Sequence, residues 1–133
     1  MVDDPGSIEE PLEGKTVLLV EDEERLRTIV EMMLEELGAR VELAGDGAEA
    51  VQIFARDPRS IDAVLLDLRM RGVSGFDVFR RLREIDASVE VVATSGARPD
   101  EAFIAEIESA GGVFLEKPFN IEDLSAVFER IFG

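Results

Sequence analysis

The chain reads as an α/β domain: an open, doubly wound sheet of five parallel strands with helices on both faces. Three observations predict it. Short apolar runs alternate along the chain with longer segments whose apolar residues recur at helical spacing. The first run, Thr16–Val20, is β-branched and apolar without in-and-out alternation, as in a strand buried on both faces. Five such β-then-α units fit within 133 residues, a length that suits one domain with a real core.

Each element has its own signal. Residues 1–14 carry Asp3, Asp4, Glu9, Glu10 and Glu13 among Pro5, Gly6 and Pro11, and read as a flexible acidic leader. They lack the basic start and apolar stretch of a secretory signal. After the strand Thr16–Val20, the residues Leu26, Ile29, Val30, Met33, Leu34 and Leu37 mark a helix that Gly38 stops. Residues 41–44 form a second strand, and 48–55 a helix opened by Asp46. Residues 63–66 are the third strand. Ser74-Gly75-Phe76-Asp77 has the form of a capping box ahead of a helix with Val78, Phe79, Leu82 and Ile85 on one face. Residues 89–93 are the fourth strand, and 100–109 a helix with Pro99 and acids at its start. Residues 113–115 are the fifth strand, ending near Lys117-Pro118. Asn120 caps a last helix whose Leu124, Val127, Phe128 and Ile131 face inward.

Composition narrows the chemistry. Thirty acids against 14 bases give a net charge of −16, which repels nucleic-acid phosphates and anionic lipid. Direct DNA binding and membrane binding are therefore not expected, and no apolar run approaches the ~18 residues of a membrane span. The chain has no His and no Cys. Histidine acid–base catalysis, Cys–His nucleophiles and Zn sites are excluded within it, as is a disulfide framework. Its default location is cytoplasmic. A bound metal would be a hard cation held by oxygen.

Ligands of open parallel sheets sit past the carboxyl ends of the strands. Here those ends carry Glu21-Asp22, Asp67, Ser95-Gly96 and Lys117-Pro118. If the strands run in the order 2-1-3-4-5, Glu21, Asp22 and Asp67 converge. Three carboxylates so placed repel one another unless a cation neutralises them, and Mg²⁺ suits an all-oxygen site. Lys117 adds a fixed positive charge and Ser95 a hydroxyl. A carboxylate nucleophile with a metal, a lysine and a hydroxyl suits phosphoryl transfer, with Asp67, at the end of an apolar strand, as the acceptor.

Taken together these residues resemble the response-regulator receiver family of two-component signalling, a chemotaxis-regulator-like domain. Val20-Glu21-Asp22-Glu23 is similar to its acidic pair, and Leu65-Leu66-Asp67-Leu68-Arg69-Met70 with Gly75 to its phosphoacceptor segment. Ser95-Gly96 resembles its hydroxyl switch, Lys117-Pro118-Phe119 its Lys-Pro turn with a cis bond, and Phe114 its aromatic switch position. The resemblance spans residues 15–132 and places a receiver domain at 15–133. It departs at Arg71, where the family's Met-Pro-Gly has proline.

The resemblance implies a flavodoxin-like (βα)5 fold with order 2-1-3-4-5. It also implies a phosphoacceptor signalling domain in place of a free-standing enzyme. Asp67 would take a phosphoryl group from a histidine kinase or histidine phosphotransfer protein. Mg²⁺, with Mn²⁺ as a substitute, would be held by Asp22, Asp67 and the Arg69 carbonyl, with Glu21 acting through water. Ser95 and Lys117 would bind the phosphoryl group, and Phe114 would rotate into the space behind Ser95 to transmit its arrival. The surface of 100–109, 113–115 and 121–131 would then meet a downstream partner or a second copy.

Singly, each motif has a plainer reading as turn, cap or core; their order and their common place at strand ends set them apart. Gly45-Asp46-Gly47-Ala48-Glu49-Ala50 matches a dinucleotide fingerprint, but after the second strand where that motif belongs to the first. A flavin module needs a phosphate-binding first loop, and this one is acidic. Dehalogenase-like phosphatases need an acid where Arg69 stands. A non-phosphorylatable pseudo-receiver is the remaining alternative, and the full set Asp22, Asp67, Ser95 and Lys117 argues against it.

Overall fold

The computed structural model describes residues 10–133 and shows a five-stranded parallel sheet in the order β2-β1-β3-β4-β5. In chain order the elements are β1 (Thr16–Val20), α1 (Glu24–Glu36), β2 (Arg40–Ala44), α2 (Gly47–Arg56), β3 (Ala63–Asp67), α3 (Gly75–Ile85), β4 (Val91–Ser95), α4 (Glu101–Ser109), β5 (Val113–Glu116) and α5 (Ile121–Phe132). A short 3₁₀ turn, Pro58–Ser60, precedes β3. Among the described residues no helix is long and apolar enough to cross a membrane.

Two apolar layers hold the sheet. Successive strand side chains point to opposite faces, so Leu18, Val20, Val64 and Leu66 enter one layer and Val17, Leu19, Ala63 and Leu65 the other. The first layer packs on α2, α3 and α4 through Phe54, Phe79, Leu82, Phe103 and Ile107. The second packs on α1 and α5 through Val30, Leu34, Leu124 and Phe128. Strands β3 and β4 are buried throughout, while β2, at the sheet's edge, exposes Arg40 and Glu42.

Several boundaries shift for local reasons. The Ser88 N–H bonds to the Asp86 carboxylate at 2.9 Å and the Val89 N–H to the Asp86 carbonyl at 3.1 Å. This turn takes Val89 out of β4, which runs on to Ser95 in register with Glu116 of β5. The expected capping box at Ser74 is only half made. Ser74 Oγ accepts from the Phe76 N–H, while the Asp77 carboxylate lies toward Arg80 at 3.9 Å. A complete box instead opens α5, where Asn120 and Asp123 exchange side-chain and backbone bonds of 2.8 and 3.0 Å.

The leader expectation falls largely on residues 1–9, which lie outside the described residues. Its final stretch is folded. Leu12 is wholly buried in the layer under α1 and α5, with its N–H bonded to the Leu37 carbonyl at 3.0 Å. Gly38, at φ 102°, ends α1 in the left-handed region, and a side chain there would collide with the Glu13 backbone. The folded unit thus starts before Lys15. Burying one leucine contributes about 1.5–3 kcal/mol, enough to pin a short segment that charge alone would leave solvated.

Candidate functional site

Strand register decides which side chains meet. Val20 of β1 lies opposite Leu66 of β3, so Glu21, the next residue, stands level with Asp67. Asp67 in turn pairs with Thr94, the residue before Ser95, and Ser95 with Glu116, the residue before Lys117. Adjacent strands thereby deliver an acid, the central aspartate, a hydroxyl and a lysine to one edge. Gly75 lets α3 close in beside them, because a Cβ there would lie 2.5 Å from the Leu68 Cα.

Glu21, Asp22 and Asp67 each offer a carboxylate oxygen within 4.8 Å of the others. Lys117 Nζ donates to Glu21 Oε1 at 3.0 Å and to Asp67 Oδ2 at 3.1 Å. Both carboxylate side chains are only 5% exposed, and the lysine is 20% exposed. The other Asp67 oxygen accepts from the Arg69 N–H at 2.9 Å. Asp22 is half-buried, and its Oδ2 accepts from the Arg71 N–H at 3.1 Å. The Lys117–Pro118 bond is cis, as the Lys-Pro resemblance implies.

Charge in the site is unbalanced. Burial pushes the Glu21 carboxyl above its ordinary value and the Asp67 charge adds to this, outweighing the hydrogen bonds from Lys117 and the Glu23 N–H. Burial draws the Lys117 ammonium down, but its bond to Glu21 and the charges of Asp67 and Glu21 prevail, and it is raised. One ammonium cannot neutralise three carboxylates. The donor set is all oxygen, partly open to solvent on the Asp22 side, and fits a hard divalent cation.

The remaining expected residues take different places. Ser95 is buried, with Oγ accepting from the Ala97 N–H at 3.2 Å, turned onto its own loop. Phe114 is half-buried against the α2–α3–α4 layer. The glycine-rich decoy sits between β2 and α2, where Glu49 accepts from the Gly45 N–H at 2.7 Å and Asp46 caps α2. The amides of Gly45, Glu49 and Ala50 are spent within the segment. Two contributors escaped sequence reasoning. Arg27 reaches from α1 to the Glu21 carbonyl at 2.9 Å, and a basic residue in the turn after an acidic pair could have signalled it. The Arg71 contact is made by backbone, and only the missing proline hinted at it.

A family model described as the response regulator receiver domain matches residues 17–129. The chain belongs to that family. Among curated relatives, the receiver is 35% identical over 124 residues to the transcriptional regulatory protein TcrA of Mycobacterium tuberculosis, covering 92% of this chain and 47% of that protein. The chain thus spans about half the length of that relative. Its fold matches a response regulator receiver domain protein from Clostridium thermocellum (TM-score 0.80, 27% identity, 89% of this chain and 94% of that one). It also matches the receiver domain of the sensor histidine kinase PA1611 from Pseudomonas aeruginosa (TM-score 0.72, 32% identity, 87% and 95% covered). That structure has magnesium coordinated in its active-site cleft. The doubly wound flavodoxin-like order expected from sequence is therefore the receiver order.

Proposed function

We propose that this receiver is a phosphoacceptor of a two-component or phosphorelay system, with Asp67 taking the phosphoryl group from a histidine kinase or histidine phosphotransfer protein. The observation that carries the reading is Lys117 Nζ held between buried Glu21 and Asp67, with Asp22 alongside. Attack by a carboxylate oxygen needs no histidine base, which suits a chain without histidine. An Asp67 oxygen attacks phosphorus, the P–N bond to the donor imidazole breaks with its electron pair left on nitrogen, and an acyl phosphate forms. Water returns the chain to its starting state by attacking the acyl phosphate. The domain assists both steps without turning over a separate substrate.

The bonds to Asp67 define what each neighbour does. The Arg69 N–H and Lys117 Nζ fix the carboxylate's rotation, and Lys117 is within reach of the incoming oxygens. Ser95 accepts but makes no donated bond among the described residues, so its proton is free for a phosphoryl oxygen. Asp22, Asp67 and the Arg69 carbonyl would hold Mg²⁺, or Mn²⁺ in its place, with Glu21 acting through water; Glu21's bond to Lys117 favours that indirect part. When bound, the cation neutralises charge on the phosphoryl oxygens. Closure of Ser95 opens room for Phe114, which shifts a pre-existing equilibrium of the α4-β5-α5 face toward binding a downstream protein or a second copy. The setting is cytoplasmic, with no part for DNA or membrane.

Acetyl phosphate with MgCl₂, read by intact mass, tests this. The protein should gain one base-labile phosphoryl group, and Asp67→Asn or omission of Mg²⁺ should prevent it. Labelling that persists in Asp67→Asn would move the acceptor elsewhere.

A further inference from the structure

Asp22 reaches the site from β1 and Arg71 from the β3–α3 loop, 49 residues later in the chain. The Arg71 N–H to Asp22 Oδ2 bond at 3.1 Å joins the two. Glu21 and Asp67 share Lys117, whereas among the described residues no other donor reaches Asp22. A carboxylate has about four lone-pair positions, so one N–H fixes its rotation and leaves capacity for a cation. The Arg71 side chain is exposed, and Gly72, at φ 85°, turns the loop directly after it. The contact depends on a backbone hydrogen that every residue type except proline supplies.

We propose that the Arg71 N–H is a positioning donor for Asp22, tightening this receiver's hold on its divalent cation and coupling the β3–α3 loop to metal occupancy. The proposal rests on the reading of Glu21, Asp22 and Asp67 as the Mg²⁺ site. Donors that orient a metal ligand typically change affinity 10- to 100-fold when removed. The side chain at position 71 is then interchangeable, while its amide is not. Where receivers carry proline there, this particular brace is missing, and Asp22 must be oriented by other means.

Calorimetric titration of MgCl₂ into the unphosphorylated protein tests this with Arg71→Ala and Arg71→Pro, each checked for a native ¹⁵N–¹H spectrum. Arg71→Ala should bind within about twofold of the parent, and Arg71→Pro about tenfold more weakly. Because proline also restricts φ, amide exchange supplies an independent reading. The Arg71 amide should be protected in the metal-free parent and lose that protection in Asp22→Ala. The proposal is overturned if Arg71→Pro binds like the parent, if Arg71→Ala is weakened equally, or if the Arg71 amide exchanges freely in the parent. Should the parent itself take up no Mg²⁺, the metal-site reading fails first and takes the proposal with it. If Arg71→Pro does not fold, the exchange measurements decide alone.

Discussion

At the N-terminal edge of the sheet, Asp62 accepts from the Thr16 N–H at 2.8 Å, Lys15 lies 4.9 Å from the centre of the Phe132 ring, and Leu12 fills the layer beneath. At the C-terminal edge, Glu21 and Asp67 are equally buried but share one lysine, with a third carboxylate beside them. The same strands carry both edges. At the lower edge the Asp62 carboxylate and the Lys15 ammonium each meet a partner suited to them, which stabilises the domain. At the upper edge buried negative charge exceeds its cation, which costs stability and leaves a demand that metal and phosphoryl chemistry can meet.

Truncating Leu12 should give the largest purely structural effect. Leu12→Ala empties a fully buried position and should cost about 2–5 kcal/mol in urea unfolding, while phosphorylation of the surviving folded protein stays intact. A loss of phosphoryl uptake at native fold would mean that the two edges are coupled.

The next change is at the upper edge and has the opposite sign. Glu21 has a raised pKa in the fold, so the stability tied to its bound proton is present in acid and lost as pH rises through the folded value. At neutral pH its ionisation therefore opposes folding. Glu21→Gln should be more stable than the parent at neutral pH without metal, and thermal melts at a series of pH values should show the gap closing in acid. Equal melting temperatures across the series would contradict the charge imbalance described above.

Smaller effects lie outside both clusters. Asn120→Ala removes half of the α5 capping box and should cost about 1 kcal/mol in chemical denaturation. Glu106→Ala removes a solvent-exposed pair with Arg80, and its denaturation curve should overlay the parent's.

The sequence revealed the upper edge better than the lower. Asp67 is legible because it directly follows an apolar run, and Ser95 and Lys117 because each comes two residues after one, and a parallel sheet leaves such residues only one edge to occupy. Leu12 was hidden because a lone leucine among acids and prolines has no periodicity, and its burial depends on α1 and α5 meeting over it. Ser74 misled because a capping box needs both halves, and Asp77 has Arg80 within reach on the same helix. The Arg71 contact has no side-chain signature at all. Periodicity reports side chains that face a core; it does not report amides.

Lys117 meets Glu21 across 96 residues of sequence and Asp67 across 50. Of the residues that meet there, Lys117 comes last in the chain. During synthesis β1 and β3 emerge well before β5, and Glu21, Asp22 and Asp67 can gather while Lys117 is still to be made. Until residue 117 arrives, the cluster has no ammonium to offset its repulsion. The charge of the acidic cluster is therefore offset only once the strand that leads to Lys117 has been added.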